Sequence, residues 1–197
     1  MSHIRRISAL LTCLVLVLAL VCACGGTNSE LRPYKTALSD SAPSGAVLES
    51  SLECELGTLL AKYTAVFSDG AVSVEYERDN LTEYDSGTAG SGEITSSEGS
   101  YSRSADGAVT GEISPLVLAL LTRALNLSDE LIAYPAVSED GTLTFSVTAE
   151  NTEAVFGTAI GYNASCKIVL DGKNIKTVEV SYTAKSGEAK LVCGYSY

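Results

Sequence analysis

The chain has 197 residues, 46% of them hydrophobic and 19% charged, which is enough for one medium domain with a packed core and rules out disorder throughout. Its 13 Lys and Arg face 24 Asp and Glu; Arg5 and Arg6 lie in a first stretch without acids, so residues 24–197 hold 11 cations and a net charge of −13. A surface that acidic is repelled by phosphate backbones and anionic headgroups, which argues against nucleic-acid binding and against electrostatic adhesion to a membrane.

Met1 to Arg6 is a short positive start and Ile7 to Val21 is almost unbroken apolar sequence, the pattern of a secretory signal. The run is shorter than the roughly 20 residues of a spanning helix and ends at Gly25-Gly26, so cleavage is expected rather than spanning. Val21-Cys22-Ala23-Cys24 resembles the lipobox of bacterial lipoproteins, in which a small residue precedes the lipid-carrying cysteine. The resemblance implies a diacylglyceryl group on the Cys24 thiol and cleavage after Ala23. Cys22 is the rival acceptor, but bulky Val21 stands before it. Residues 1–23 are thus expected to be a lipoprotein signal peptide. Residues 24–45, rich in Gly, Ser, Pro and Thr, read as a flexible tether reaching roughly 25 Å, and residues 46–197 as one domain.

Within that domain Asp69-Gly70, Asp106-Gly107, Asp140-Gly141 and Asp171-Gly172 are hairpin signals, with Ser186-Gly187 as a fifth. The stretch from Val47 to Phe67 fits either a helical stripe or alternation, and reads as two strands turning near Gly57. Val72, Val74 and Tyr76 alternate with polar residues, and Asp85 to Gly99 reads as a long loop or weak edge hairpin. Ser114 and Pro115 are helix-start signals, and Leu116 to Leu127 is so apolar that it must be buried or face a ligand. Leu143, Phe145 and Val147 alternate next; a short helix is expected near Asn151 to Phe156. Three final strands share faces through Cys166 and Ile168, Val178 and Val180, and Leu191 and Cys193. The expected fold is α+β, a mainly antiparallel sheet, curled or half-barrel, with one central apolar helix. This order looks like the half-barrel lipoproteins of the LolA and LppX type, whose helix-covered sheet holds acyl chains. Leu116, Leu120, Leu121 and Leu125 are the candidate ligand-facing residues.

Catalytic chemistry has little to stand on. His3 is the single histidine and lies within the signal, which removes Ser-His-Asp, Cys-His and His-zinc arrangements from the mature chain. Gly87 to Gly92 is Gly-rich but lacks the lysine of a phosphate loop. Carboxylate pairs could come from Glu53, Glu55, Glu75, Glu77, Asp79, Glu83 and Asp85, most of which alternate onto polar strand faces. Cys54, Cys166 and Cys193 permit at most one disulfide and read best as inert core thiols. No cofactor or metal is expected.

The expectation is therefore a non-enzymatic, lipid-anchored extracytoplasmic protein that binds or scaffolds, its partners being the membrane through the anchor and an apolar ligand or envelope protein. The alternatives are an envelope glycan hydrolase working through two carboxylates and a structural accessory of an envelope complex. Cys24→Ser should release the protein from membranes on alkaline washing, and mass spectrometry of the native membrane fraction should give an acylated peptide beginning at Cys24.

Overall fold

The computed structural model describes residues 29–40, 42–82 and 92–197. The signal peptide, Cys24, Glu83, Asp85 and most of the Gly87–Gly92 loop lie outside the described residues. The chain divides into Met1–Arg32, of which the 3-10 turn Ser29–Leu31 and the first residue of a helix at Arg32 are described, and Pro33–Tyr197. Nearly all the described secondary structure belongs to the second unit.

Ten strands form one open, curled antiparallel sheet: β1 (Gly45–Cys54), β2 (Gly57–Ser68), β3 (Ala71–Thr82), β4 (Glu93–Arg103), β5 (Val109–Thr110), β6 (Ala133–Val137), β7 (Thr142–Val147), β8 (Ala164–Asp171), β9 (Asn174–Ala184) and β10 (Gly187–Ser196). Their spatial order is β5-β4-β3-β2-β1-β10-β9-β8-β7-β6. Two five-strand meanders therefore meet where β1 pairs with β10, from Gly45 opposite Ser196 to Glu53 opposite Glu188. All five predicted turns fall between strands. At the β2–β3 turn Asp69 has φ +49 and Gly70 φ +81, the left-handed pair that a tight hairpin of the right twist demands.

Alternation decides which face is covered. Tyr63, Leu48, Cys193, Val178, Ile168 and Leu143 stand opposite one another across six strands, and each is buried. The outer face carries Glu49, Lys62, Glu77 and Glu98 in a matching exposed row. One sheet thus has one dry side and one wet side, as the period of two requires.

The three helices are α1 (Arg32–Asp40), α2 (Pro115–Leu121) and α3 (Thr152–Phe156, preceded by a 3-10 turn at Ala149–Asn151). β5 and β6 occupy opposite edges, so residues 111–132 must cross the covered face to join them. α2 is the middle of that crossing, between β1 and α3. This explains a helix with Leu116, Val117, Ala119, Leu120 and Leu121 all buried.

Three expectations change. The helix predicted to run to Leu127 ends at Leu121: Arg123 N–H donates to the Leu120 carbonyl at 3.1 Å and Ala124 N–H to the Ala119 carbonyl at 2.9 Å. That is a Schellman ending, with Arg123 at φ +57 in the position glycine normally takes. Arg32–Asp40, inside the stretch read as tether, is a helix with Tyr34 and Ala37 buried, so the coil reading does not hold for those residues. Glu93 to Gly99, read as loop or weak edge hairpin, belongs to an eleven-residue strand paired with β3.

Glycine is needed for a second reason at Gly187, where φ is +150 and a Cβ would stand 1.7 Å from the Glu53 carbonyl oxygen. At Gly172, φ +62, a Cβ meets nothing. Gly172→Ala should therefore cost about 1–2 kcal/mol through backbone strain alone. Gly187→Ala, at the junction of the two meanders, should cost about 3 kcal/mol or more, because backbone must move. Urea midpoints of the two variants measured side by side check the difference.

Candidate functional site

The crossing helix leaves part of the covered face open. Its first turn, Ser114 to Val117, stands over the ends of β2, β1, β10 and β9, and a groove of about 340 Å³ remains between them. Register explains the lining: Leu52 lies opposite both Leu59 and Ala189, and Ser50 opposite both Ala61 and Leu191. These positions are small or aliphatic, so the floor is apolar and shallow enough to leave space under Leu116. The volume lies at the lower end of the range for small-molecule sites.

The four leucines singled out from sequence part company here. Leu116 lines the groove, with Val117 beside it. Leu120 and Leu121 are fully buried and serve the core. The Leu120 carbonyl accepts a hydrogen bond from Tyr195 Oη at 2.5 Å, which fixes the helix to β10. Burial holds the Tyr195 hydroxyl well above the usual tyrosine range, so it stays a donor at any physiological pH. Leu125 lies past the helix end and lines a second cleft, of about 630 Å³, between α1, the 123–128 loop and α3. A helix ending at Leu121 is the reason the four cannot share one surface.

Arg78, which sequence reasoning passed over, also borders the groove. It follows Tyr76 on the covered face of β3, and its guanidinium carbon lies 5.1 Å from the centre of that ring. Its Nε is buried without a hydrogen-bond partner. Asp79 lines the same border, so a cation and a carboxylate stand side by side at the edge of an apolar groove and suit a ligand with a polar end. The signal available in the sequence was its position: Arg78 continues the alternation of Val72, Val74 and Tyr76, so its inward direction was legible although its role was not. On the far wall Tyr182 stacks with Tyr162, ring centres 6.1 Å apart, and burial followed by the neighbouring phenol raises its pKa.

The carboxylates are dispersed. Glu53, Glu55, Glu75 and Glu77 are exposed, and Glu75 and Glu77 lie on the outer face opposite Thr64 and Lys62. Asp79 accepts hydrogen bonds from Ser96 Oγ at 2.7 Å and Leu60 N–H at 3.3 Å, which hold its carboxyl below the usual range. Asp106, Glu130 and Asp140 are likewise held low, in each case chiefly by a serine hydroxyl. A depressed carboxyl suits a base or a hydrogen-bond acceptor and is the wrong state for the proton donor of glycoside cleavage.

Cys54, Cys166 and Cys193 are all free thiols. Cys166 on β8 and Cys193 on β10 share the covered face with β9 between them, as alternation predicted, and burial pushes both pKa values up to about 12. The folded chain therefore keeps these thiols neutral, whereas the unfolded chain releases their protons above about pH 9. The stability their protonation contributes is present below pH 9 and lost as pH rises from there to about 12, at about 1.4 kcal/mol per pH unit for each thiol. Cys166→Ala should flatten the fall in urea-unfolding free energy between pH 9.5 and 11 by that slope. Iodoacetamide at pH 8 should label Cys54, which is half-buried at the end of β1, well before the other two.

Compared with known proteins, the chain matches no family model and no curated protein.

Proposed function

We propose that this is a lipid-anchored, extracytoplasmic binding protein: acyl chains on Cys24 hold it to the membrane, and the groove beneath the first turn of α2 takes an apolar or amphipathic molecule. The anchor rests on the lipobox-like Val21-Cys22-Ala23-Cys24 after a cleavable apolar run. Acyl chains supply about 0.8 kcal/mol per buried CH₂, membrane affinity that a −13 domain lacks. One observation carries the binding reading: the groove of about 340 Å³ walled by Leu52, Leu59, Leu116 and Leu191, with Arg78 at its border.

Binding there is non-catalytic. Apolar area supplies the affinity, and the serines Ser50, Ser114 and Ser186, together with Arg78, are placed to orient a polar end. An apolar ligand of this size that buries most of its surface gains roughly 25 cal/mol per Å² before the entropy of immobilisation is charged against it, which points to micromolar affinity.

Ala61 lies half-buried on the groove floor opposite Ser50 and Arg78. Ala61→Phe should fill the space and weaken binding of the neutral fluorophore N-phenyl-1-naphthylamine at least tenfold, with the thermal midpoint close to that of the parent. Equal binding by parent and variant, or no saturable fluorescence rise with the parent, overturns the reading.

A further inference from the structure

The second cleft, distinct from the groove, is bordered by a buried cation that no carboxylate among the described residues pairs with. Arg123 is 7% exposed and sits at the junction of α2 and the 123–128 loop. Its Nη1 uses both protons, donating to the Ala37 carbonyl at 3.0 Å and to Tyr197 Oη at 3.2 Å; Tyr197 Oη in turn donates to the Ile175 carbonyl at 3.0 Å. Nε is buried and makes no hydrogen bond, and Nη2 makes none either. No carboxylate among the described residues forms an ion pair with this guanidinium.

Physical chemistry makes that arrangement expensive. A buried charge is ordinarily paired, and an orphaned N–H costs about 1–3 kcal/mol. Arg123 also holds φ +57, which costs a non-glycine residue about 1–2 kcal/mol more. Glycine would end the helix without strain, so the side chain is what the position retains. The bonds from Nη1 explain its fixed direction. They leave Nε, which is sealed from solvent, and Nη2, the one nitrogen still free to donate toward the cleft.

The cleft that Arg123 borders is about 630 Å³, and its other walls are mixed. Leu38, Leu125 and Val155 give apolar surface; Ser39, Asn126 and Ser128 give hydrogen-bonding groups. Lys35 adds a second cation at the rim, where it meets Asp129 at 3.2 Å. From this we infer that the cleft binds a small organic carboxylate, its head on Nη2 of Arg123 and its apolar body against Leu125 and Val155.

The experiment is a titration of the ¹⁵N-labelled protein with sodium hexanoate, reading the Nε–H resonance of Arg123, which burial protects from exchange with water, and the side-chain amide of Asn126. Saturable shifts of both, with a midpoint below about 5 mM, are expected. Hexanol and sodium chloride at equal concentration should leave the Arg123 resonance in place, and inorganic phosphate should move it less than hexanoate. Ser39→Glu, a substitution at an exposed position of α1 that brings a carboxylate to the cleft, should abolish the hexanoate response while leaving the fold and the groove's fluorophore binding unchanged. A hexanoate response that is linear, that chloride reproduces, or that survives Ser39→Glu overturns the inference. Ala61→Phe should leave the response intact, so the two sites fail or stand independently.

Discussion

The pairing of β1 with β10 governs the rest of the molecule. Because the first and last strands meet at the centre of the sheet, the two strands that are successive in the middle of the chain, β5 and β6, are driven to opposite edges. Nine inter-strand steps of about 4.8 Å would separate them along a flat sheet, roughly 43 Å, and the curl of this sheet shortens the span that residues 111–132 must cover. It cannot go around the outer face without leaving the row of Leu48, Ile168 and Leu143 uncovered. It therefore crosses the inner one, and a backbone buried over a sheet must satisfy its own hydrogen bonds, which a helix does. The apolar character of α2, its shortness and the groove at its N-terminal end all descend from the one central pairing.

What the sequence disclosed follows from how locally each feature is determined. Asp-Gly pairs and a period of two are settled within a few residues, so the strands, their faces and the two strands around Gly57 could be read directly. The end of α2 could not be. Thr122-Arg123-Ala124 contains neither Gly nor Pro, and the left-handed turn there depends on the Ala37 carbonyl and Tyr197 Oη, groups 86 and 74 residues away in sequence. The same is true of α1, whose Tyr34 Oη donates to the Gly141 carbonyl at 2.7 Å. A nine-residue segment containing Pro, Ser and Asp has little intrinsic helix content, and tertiary burial of Tyr34 and Ala37 supplies what propensity lacks.

The groove between sheet and helix could be anticipated from the sequence, and the residues that line it could not, for the same reason. Placing a ligand between sheet and helix required only that an apolar helix cover an alternating sheet. Naming Leu116, Leu120, Leu121 and Leu125 required the helix to continue, and its early end sends Leu125 to another surface. Arg78 and Arg123 escaped notice because an arginine is read by default as a solvated surface residue, and only neighbours distant in sequence reveal that each has an Nε shut away from water and unpaired.

Those two arginines also bear on how an acidic domain could accept a negatively charged molecule. The net charge of −13 sets the field at long range, where a Debye length of about 8 Å at physiological ionic strength damps it. Within the groove and the cleft the field is set by what is close. Beside Arg78 the carboxylate of Asp79 lines the same groove, and Glu49 and Glu77 border an adjoining pocket with both, so the groove is locally mixed in charge. Arg123 has as neighbours two neutral acceptors, an aromatic ring 5.7 Å from its guanidinium carbon and, across the cleft, Lys35 in its ion pair with Asp129. Low local dielectric strengthens these short-range terms while salt weakens the distant repulsion. Local burial and pairing, more than net charge, therefore set the field inside the cleft, so one chain is repelled by anionic surfaces at long range and still holds a partly dehydrated cation at Arg123.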